Sequence, residues 1–278
     1  MEEINWVEEW KKVGHHSRSK AHTHNEAHWT SYWDHIAESY LVDSISDENV
    51  HRSIIAFLET ELCFQKGDTV LDIGCGPGTY TLLFAENAGS VDALDTSQGM
   101  LSVLLQEASK RSLHNIRKIL SSWDDYQPGE RYGLVFSGMS PAIRDDKTLL
   151  RMERYASRGC CFVTFGEAYQ PPIIKDLWGL LVGEYRPSNA YLHIYPHGVL
   201  HQKGRNPVTR MFDLNRCRRT PVSEMVNQYT QYFKIFTEMD QKKAEVICQY
   251  FDERSQDGFF DNVTQLKLAA ICWKVPVD

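Results

Sequence analysis

From Thr69 onward, short apolar runs alternate with longer amphipathic ones, the pattern of a parallel sheet covered by helices on both faces. The apolar runs predict strands over 69–73, 90–94, 115–120, 132–136 and 160–165. Between the second and third, Met100, Leu101, Leu104, Leu105 and Ala108 recur at helical spacing. A further helix is predicted over 146–157 from Leu149, Leu150, Met152 and Tyr155. Crossovers of this length imply a right-handed, doubly wound, mostly parallel Rossmann-like α/β sheet.

The rhythm changes after Phe165. Residues 168–206 mix prolines (Pro171, Pro172, Pro187, Pro196) with aromatics (Tyr169, Trp178, Tyr185, Tyr191, Tyr195) and read as a helical insert capping the domain. An extended strand over 207–219, helices over 222–236 and 240–254, and a last strand over 266–275 complete seven strands. Residues 1–50 carry Trp6, Trp10, Trp29, Tyr32, Trp33, Ile36, Ala37 and Tyr40. They are expected to form a helical lid on a domain spanning 51–278.

Composition narrows the partners. The chain is 42% hydrophobic and 24% charged, enough to bury a core. Its formal charge of −7 offers no field for a phosphate backbone, so nucleic acid is not an expected partner. The acidic start MEEINWVEEWKK is unlike a signal peptide, and no apolar run nears the ~18 residues of a membrane span. Seven cysteines without a C-x-x-C pair make a disulfide scaffold or zinc site unexpected. A cytoplasmic protein, not bound to membrane, is the expectation.

The chemistry concentrates in Val70-Leu-Asp-Ile-Gly-Cys-Gly-Pro-Gly-Thr-Tyr-Thr81. A buried strand runs into three glycines, which turn tightly and let a ligand approach the peptide groups. A dinucleotide fingerprint wants its third glycine at the sixth position, but that position is Thr79. Asp72 would also repel a pyrophosphate, and no Gly-Lys-Ser/Thr follows to make a P-loop. Asp95 ends the second strand 21 residues after Gly74, where a carboxylate can accept from both hydroxyls of a ribose. The ligand therefore contains a ribose and needs no phosphate cradle.

These residues resemble the class I S-adenosylmethionine-dependent methyltransferases, of small-molecule type. Asp72-Ile-Gly-Cys-Gly-Pro-Gly matches that family's first motif, and Leu94-Asp-Thr-Ser-Gln-Gly-Met100 looks like its second. The resemblance implies S-adenosyl-L-methionine as cofactor. Asp72, Gly74, Cys75 and Gly76 would hold its methionine end, Asp95 its ribose, and Thr96, Ser97 and Met100 would flank the adenosine. The acid near the adenine amino group corresponds to Asp124 or its neighbour Asp125, with Trp123 covering the ring. Ser137, Met139 and Ser140 follow the fourth strand, where the family meets its substrate. The segment 32–40 is similar to a helix that closes over the cofactor, with Tyr32 and Tyr40 expected to touch ligand. The family's final antiparallel strand would be 266–275.

The sulfonium already activates the methyl group, so a general base is optional and no catalytic residue is assigned. His15, His16, His22, His24, His28 and His35 place six of the 11 histidines in 21 residues, but without fixed ligand spacing they are read as a solvated segment, with no metal assigned. His28 and Trp29 adjoin the lid and are candidates to face substrate. Lys203, Arg205, Arg210, Arg216, Arg218 and Arg219 suggest an anionic acceptor. On an extended strand Arg210, Arg216 and Arg218 share one face and read as protection of a sheet edge, so Lys203 and Arg205, next to the insert, are the better pocket candidates. The rivals are a non-catalytic cofactor-binding or metal-handling protein and an RNA or protein methyltransferase.

Overall fold

A computed structural model of the chain describes residues 4–15, 27–185 and 189–276. Strands β1 (Thr69–Ile73), β2 (Ser90–Asp95), β3 (Ile116–Leu120), β4 (Tyr132–Gly138), β5 (Ala156–Phe165), β6 (Val208–Pro221) and β7 (Phe259–Lys274) form one sheet, ordered β3-β2-β1-β4-β5-β7-β6. The first five are parallel. β7 enters antiparallel beside β5 and pairs antiparallel with β6 at the edge. The order reverses at β1, so a crevice opens at the carboxyl ends of β1 and β4, the usual ligand position in such sheets.

The central strands read as continuous apolar runs because both faces are covered: Val70, Leu71, Ile73, Leu134, Val135 and Phe136 are fully buried. Around them lie α1 (Trp6–His15), α2 (Ala27–Ser46), α3 (Glu48–Thr60), α4 (Thr81–Ala85), α5 (Gln98–Lys110), α6 (Asp146–Tyr155), α7 (Pro172–Leu181), α8 (Ile194–Gln202), α9 (Val222–Phe233) and α10 (Gln241–Asp252). Local chemistry sets several of their starts. The Ser97 hydroxyl accepts from the Met100 amide at 3.0 Å and caps α5. Asp145 and Thr148 exchange the reciprocal bonds of a capping box on α6.

The N-terminal segment is split between two places. α2 packs across α5 and α9, with Tyr32, Ile36 and Ala37 in the core they share. α1 docks instead on α8: Trp10 Nε1 donates to the Ala190 carbonyl at 2.8 Å, and Gly198 makes room for the Trp6 indole.

Two boundaries differ from the sequence expectation for a physical reason. β7 begins at Phe259 rather than near 266, because its first half alternates exposed and half-buried positions and shows no apolar run. β5 begins at Ala156, where the chain leaves α6 without a loop. β6 and β7 thus form a long antiparallel ribbon paired from Val208↔Cys272 to Pro221↔Phe259, joined through α9 and α10.

Candidate functional site

A cavity of about 430 Å³ lies at the carboxyl ends of β1, β2 and β4, roofed by α2 and the start of α3 and closed on one side by β6 and β7. β1 enters it through three left-handed glycines, Gly74, Gly76 and Gly78, at φ +67°, +55° and +98°. A Cβ on Gly74 would lie 1.9 Å from Ser140 Oγ, whereas at Gly76 it would meet open space. Gly76 is where a ligand can approach the backbone.

Two acids flank this turn. Asp72 is buried and accepts from the Thr81 hydroxyl at 2.6 Å; burial pushes its carboxyl up to about 7. Asp95 accepts from the Gly76 amide and the Ser97 amide, both at 2.9 Å. Burial raises its carboxyl above the ordinary range, against the pull of those backbone donors.

The next wall comes from the turns after β3 and β4. Trp123 is held by its Nε1, which donates to the Thr148 carbonyl at 3.1 Å, and by Arg151, 4.3 Å above its ring. Asp124 lines the cavity and pairs with Arg144 at 2.8 Å, while Asp125 turns back to the Ser122 hydroxyl at 2.6 Å. Met139, at φ +53°, and Ser140 follow β4 into the cavity.

The far end is polar and buried. Asp43, Asp47 and His51, four residues apart on the α2–α3 corner, face Arg216 of β6. Arg216 pairs with Asp47 and, at 3.1 Å, with Asp43. Arg218 lies 3.2 Å from Asp43 and 3.0 Å from Glu224. Burial, reinforced by Arg216, pushes the His51 imidazole down to about 4, so it is neutral at physiological pH. Its ring lies 4.9 Å from that of Tyr80. His51 Nδ1 and the Tyr80 hydroxyl are both buried without a hydrogen-bond partner.

Of the residues selected from sequence, Asp72, Gly74, Cys75, Gly76, Asp95, Thr96, Met100, Trp123, Asp124, Met139, Ser140 and Tyr40 line this one cavity. Others are placed elsewhere. Ser97 is buried as the α5 cap, and Ser137 is buried donating to the Ile73 carbonyl at 2.9 Å. Tyr32 is buried against Tyr232, ring centroids 5.5 Å apart, and Trp29 stacks on Trp33. His28 Nδ1 meets the Lys234 carbonyl at 2.9 Å. Lys203 is exposed, and Arg205 is engaged by Glu153 at 2.8 Å on another face. Of the six basic residues singled out over 203–219, the one that reaches the cavity is Arg216, because β6 turns the face shared by Arg210, Arg216 and Arg218 toward α2 and α3. Of the N-terminal histidines, His16, His22 and His24 lie outside the described residues, as does the His15 side chain. Among the described residues no three His, Cys, Asp or Glu side chains form a metal-binding group.

A family model described as "Methyltransferase domain" matches residues 70–158, from β1 through the start of β5. An uncharacterized protein of Haemophilus influenzae is 46% identical over 231 residues, covering 76% of this chain and 78% of that one. Residues 70–158 form a methyltransferase domain of the class I S-adenosylmethionine-dependent kind. This methyltransferase also resembles aklanonic acid methyltransferase DauC of Streptomyces sp. (strain C5), 33% identical over 94 residues, covering 32% of this chain and 42% of the relative. In fold it is similar to the YcgJ protein of Bacillus subtilis, at a TM-score of 0.51 and 16% identity, covering 82% of this chain and all of that one. It is an enzyme, and its cofactor is S-adenosylmethionine. Among the described residues no helix of the methyltransferase is long and apolar enough to cross a membrane.

Proposed function

We propose that this methyltransferase acts on a small molecule, in the cytoplasm, within the cavity beneath α2. The carrying observation is that the glycine turn, Asp95 and the buried polar far end line one cavity of about 430 Å³. Small-molecule sites commonly measure roughly 300–1,000 Å³.

In this reading Asp72, Gly74, Cys75 and Gly76 receive the methionine end of the cofactor, and the open side of Gly76 admits it. Asp95 receives the ribose, Thr96 and Met100 flank the adenosine, and Trp123 and Asp124 border the adenine. Tyr40 covers the cavity from α2, and Met139 and Ser140 separate the cofactor end from the far end.

The cofactor supplies a methyl group already made electrophilic by its sulfonium. With the glycine turn and Asp95 holding the cofactor, it would supply that methyl group to a lone pair of an acceptor bound at the far end and would leave as the neutral thioether. The chain's task is to align that pair and keep water out.

Two measurements test this. Calorimetry should show S-adenosylhomocysteine binding to the wild-type protein, with Asp95→Ala weakening it by about tenfold or more, the loss of a charge-assisted contact of about 1.5–3 kcal/mol. Incubation of a cell extract with methyl-labelled cofactor should place label in the low-molecular-weight fraction. Label confined to RNA or protein would refute the small-molecule reading, and binding of NAD in place of S-adenosylhomocysteine would refute the cofactor residues.

A further inference from the structure

Five carboxylates line the cavity, Asp43, Asp47, Asp72, Asp95 and Asp124, against two guanidinium groups, Arg144 and Arg216. Both guanidinium groups are engaged: Arg144 with Asp124 at 2.8 Å, and Arg216 with Asp47 and Asp43. The remaining neighbour of Asp43, Arg218, is shared with Glu224. Asp43 and Asp47 therefore share the Arg216 guanidinium inside the cavity, and Arg218, which also reaches Asp43, is divided with the half-exposed Glu224 outside the cavity lining. Burial raises the carboxyls of both Asp43 and Asp47 above their ordinary range despite those arginines, so a further positive charge there would be favourable.

A second observation comes from groups that carry no charge. His51 and Tyr80, 6% and 3% exposed, line the same end, and each holds a buried polar atom without a hydrogen-bond partner, while Asp43 Oδ1 is buried with the Arg218 ion pair at 3.2 Å and no hydrogen bond. All three can accept a hydrogen bond, since the imidazole is neutral. A divalent ion does not fit the place between the carboxylates, because the Arg216 guanidinium holds it and the described residues form no metal-ligand group. An anionic acceptor could use the unpartnered Arg216 Nε, but only while facing two carboxylates already on that guanidinium.

We propose that the methyl acceptor carries a protonated amine, recognised at the far end by Asp43 and Asp47 with the polar atoms of His51 and Tyr80. This rests on the small-molecule reading above and replaces the anionic acceptor expected from the arginine-rich strand. An ammonium offers three N–H donors and a charge that the aromatic face of Tyr80 also attracts. The nitrogen serves as a recognition handle and stays protonated. Without a lone pair it does not itself receive the methyl group.

Benzylamine and benzoate, matched in size and opposite in charge, provide the test, titrated into the full chain with and without saturating S-adenosylhomocysteine. Benzylamine should bind at least about tenfold more tightly, a difference of about 1.4 kcal/mol. Asp43→Asn should erase that preference without changing S-adenosylhomocysteine affinity. Asp47→Asn, which leaves Arg216 paired with Asp43 alone, should shift it toward benzoate. Equal or tighter benzoate binding by the wild type, or no binding of either probe, overturns the proposal. Failure to bind S-adenosylhomocysteine would count against the cofactor residues instead, and the probe pair would still be decided on the cofactor-free protein. Should Asp43→Asn fail to fold by circular dichroism, Asp47→Asn and the wild-type ratio decide.

Discussion

Asp34 on α2 accepts two hydrogen bonds at the start of α5, from the Gly99 amide at 2.8 Å and the Ser97 hydroxyl at 2.5 Å. The helix that roofs the cavity thereby caps the helix that follows Asp95. Gly99 permits this approach, since a Cβ there would lie 2.8 Å from the Asp34 Cα. Asp34→Ala should lower unfolding stability by about 1–2 kcal/mol in urea titration, as loss of a cap does. It should also weaken S-adenosylhomocysteine binding several-fold, because Thr96 and Met100 on either side of Ser97 line the cavity. An unchanged affinity with reduced stability would separate the roof from the site.

Asp72 makes both folding and binding depend on pH. Its carboxyl titrates near 7 in the folded chain against about 4 when unfolded, so between these values the folded state holds the extra proton. The stabilisation is complete below about pH 4, declines as pH rises toward 7, and levels off above it. Asp72→Asn should remove that decline from a stability–pH profile. A ligand bearing an α-ammonium prefers the ionised carboxylate, so S-adenosylhomocysteine affinity should rise with pH through about 7 in the wild type and stay flat in Asp72→Asn.

How far the chain was legible follows from the kind of signal each element carries. β1, β4 and β5 are buried on both faces, so their apolar runs show in the sequence, and Asp72, Gly76 and Asp95 stand at fixed offsets from such strands. Asp43, Asp47 and His51 were missed although they recur every four residues across the α2–α3 corner. Their importance depends on Arg216, some 165 residues later, and β6 meets that corner only through tertiary packing. By strand parity Arg216 itself reads as protection of an edge strand. β6 is the edge, yet the face carrying Arg216 turns inward, which strand parity alone does not decide. Tyr32 and Tyr40 lie eight residues apart on α2, and only the neighbouring helices determine that Tyr32 packs on Tyr232 while Tyr40 reaches the cavity.

The docking of α1 gives a prediction for the N-terminal segment. Among the described residues none of α1 or α8 lines the cavity, and α1 is held partly by the Trp6 indole against Gly198, where a Cβ would lie 2.2 Å from the ring. Gly198→Val should displace α1 and lower stability by about 1–3 kcal/mol. S-adenosylhomocysteine affinity should match the wild type. Removal of residues 27–46, which takes away Trp33 and Tyr40, should abolish turnover. A large affinity loss in Gly198→Val would show that α1 acts on the site from a distance.

Gly74 and Gly76 share a left-handed backbone but differ in what surrounds them, so alanine at each should fail differently. A side chain at either position incurs about 1–2 kcal/mol of backbone strain. At Gly74 the added carbon also overlaps Ser140 Oγ at 1.9 Å, which forces the turn after β4 to move. Gly74→Ala should therefore lose about 2–4 kcal/mol of stability in urea titration. Ser140→Gly in the same chain should restore the part due to overlap, leaving only the backbone strain, and a double-mutant cycle measures that coupling. Gly76→Ala meets no neighbour, so it should fold with the smaller loss. Its methyl group occupies the space through which a ligand would approach the turn, and S-adenosylhomocysteine affinity should fall by about tenfold or more. If Gly76→Ala bound S-adenosylhomocysteine like the wild type, the ligand would not approach the backbone at that turn, and the placement of its methionine end would have to change.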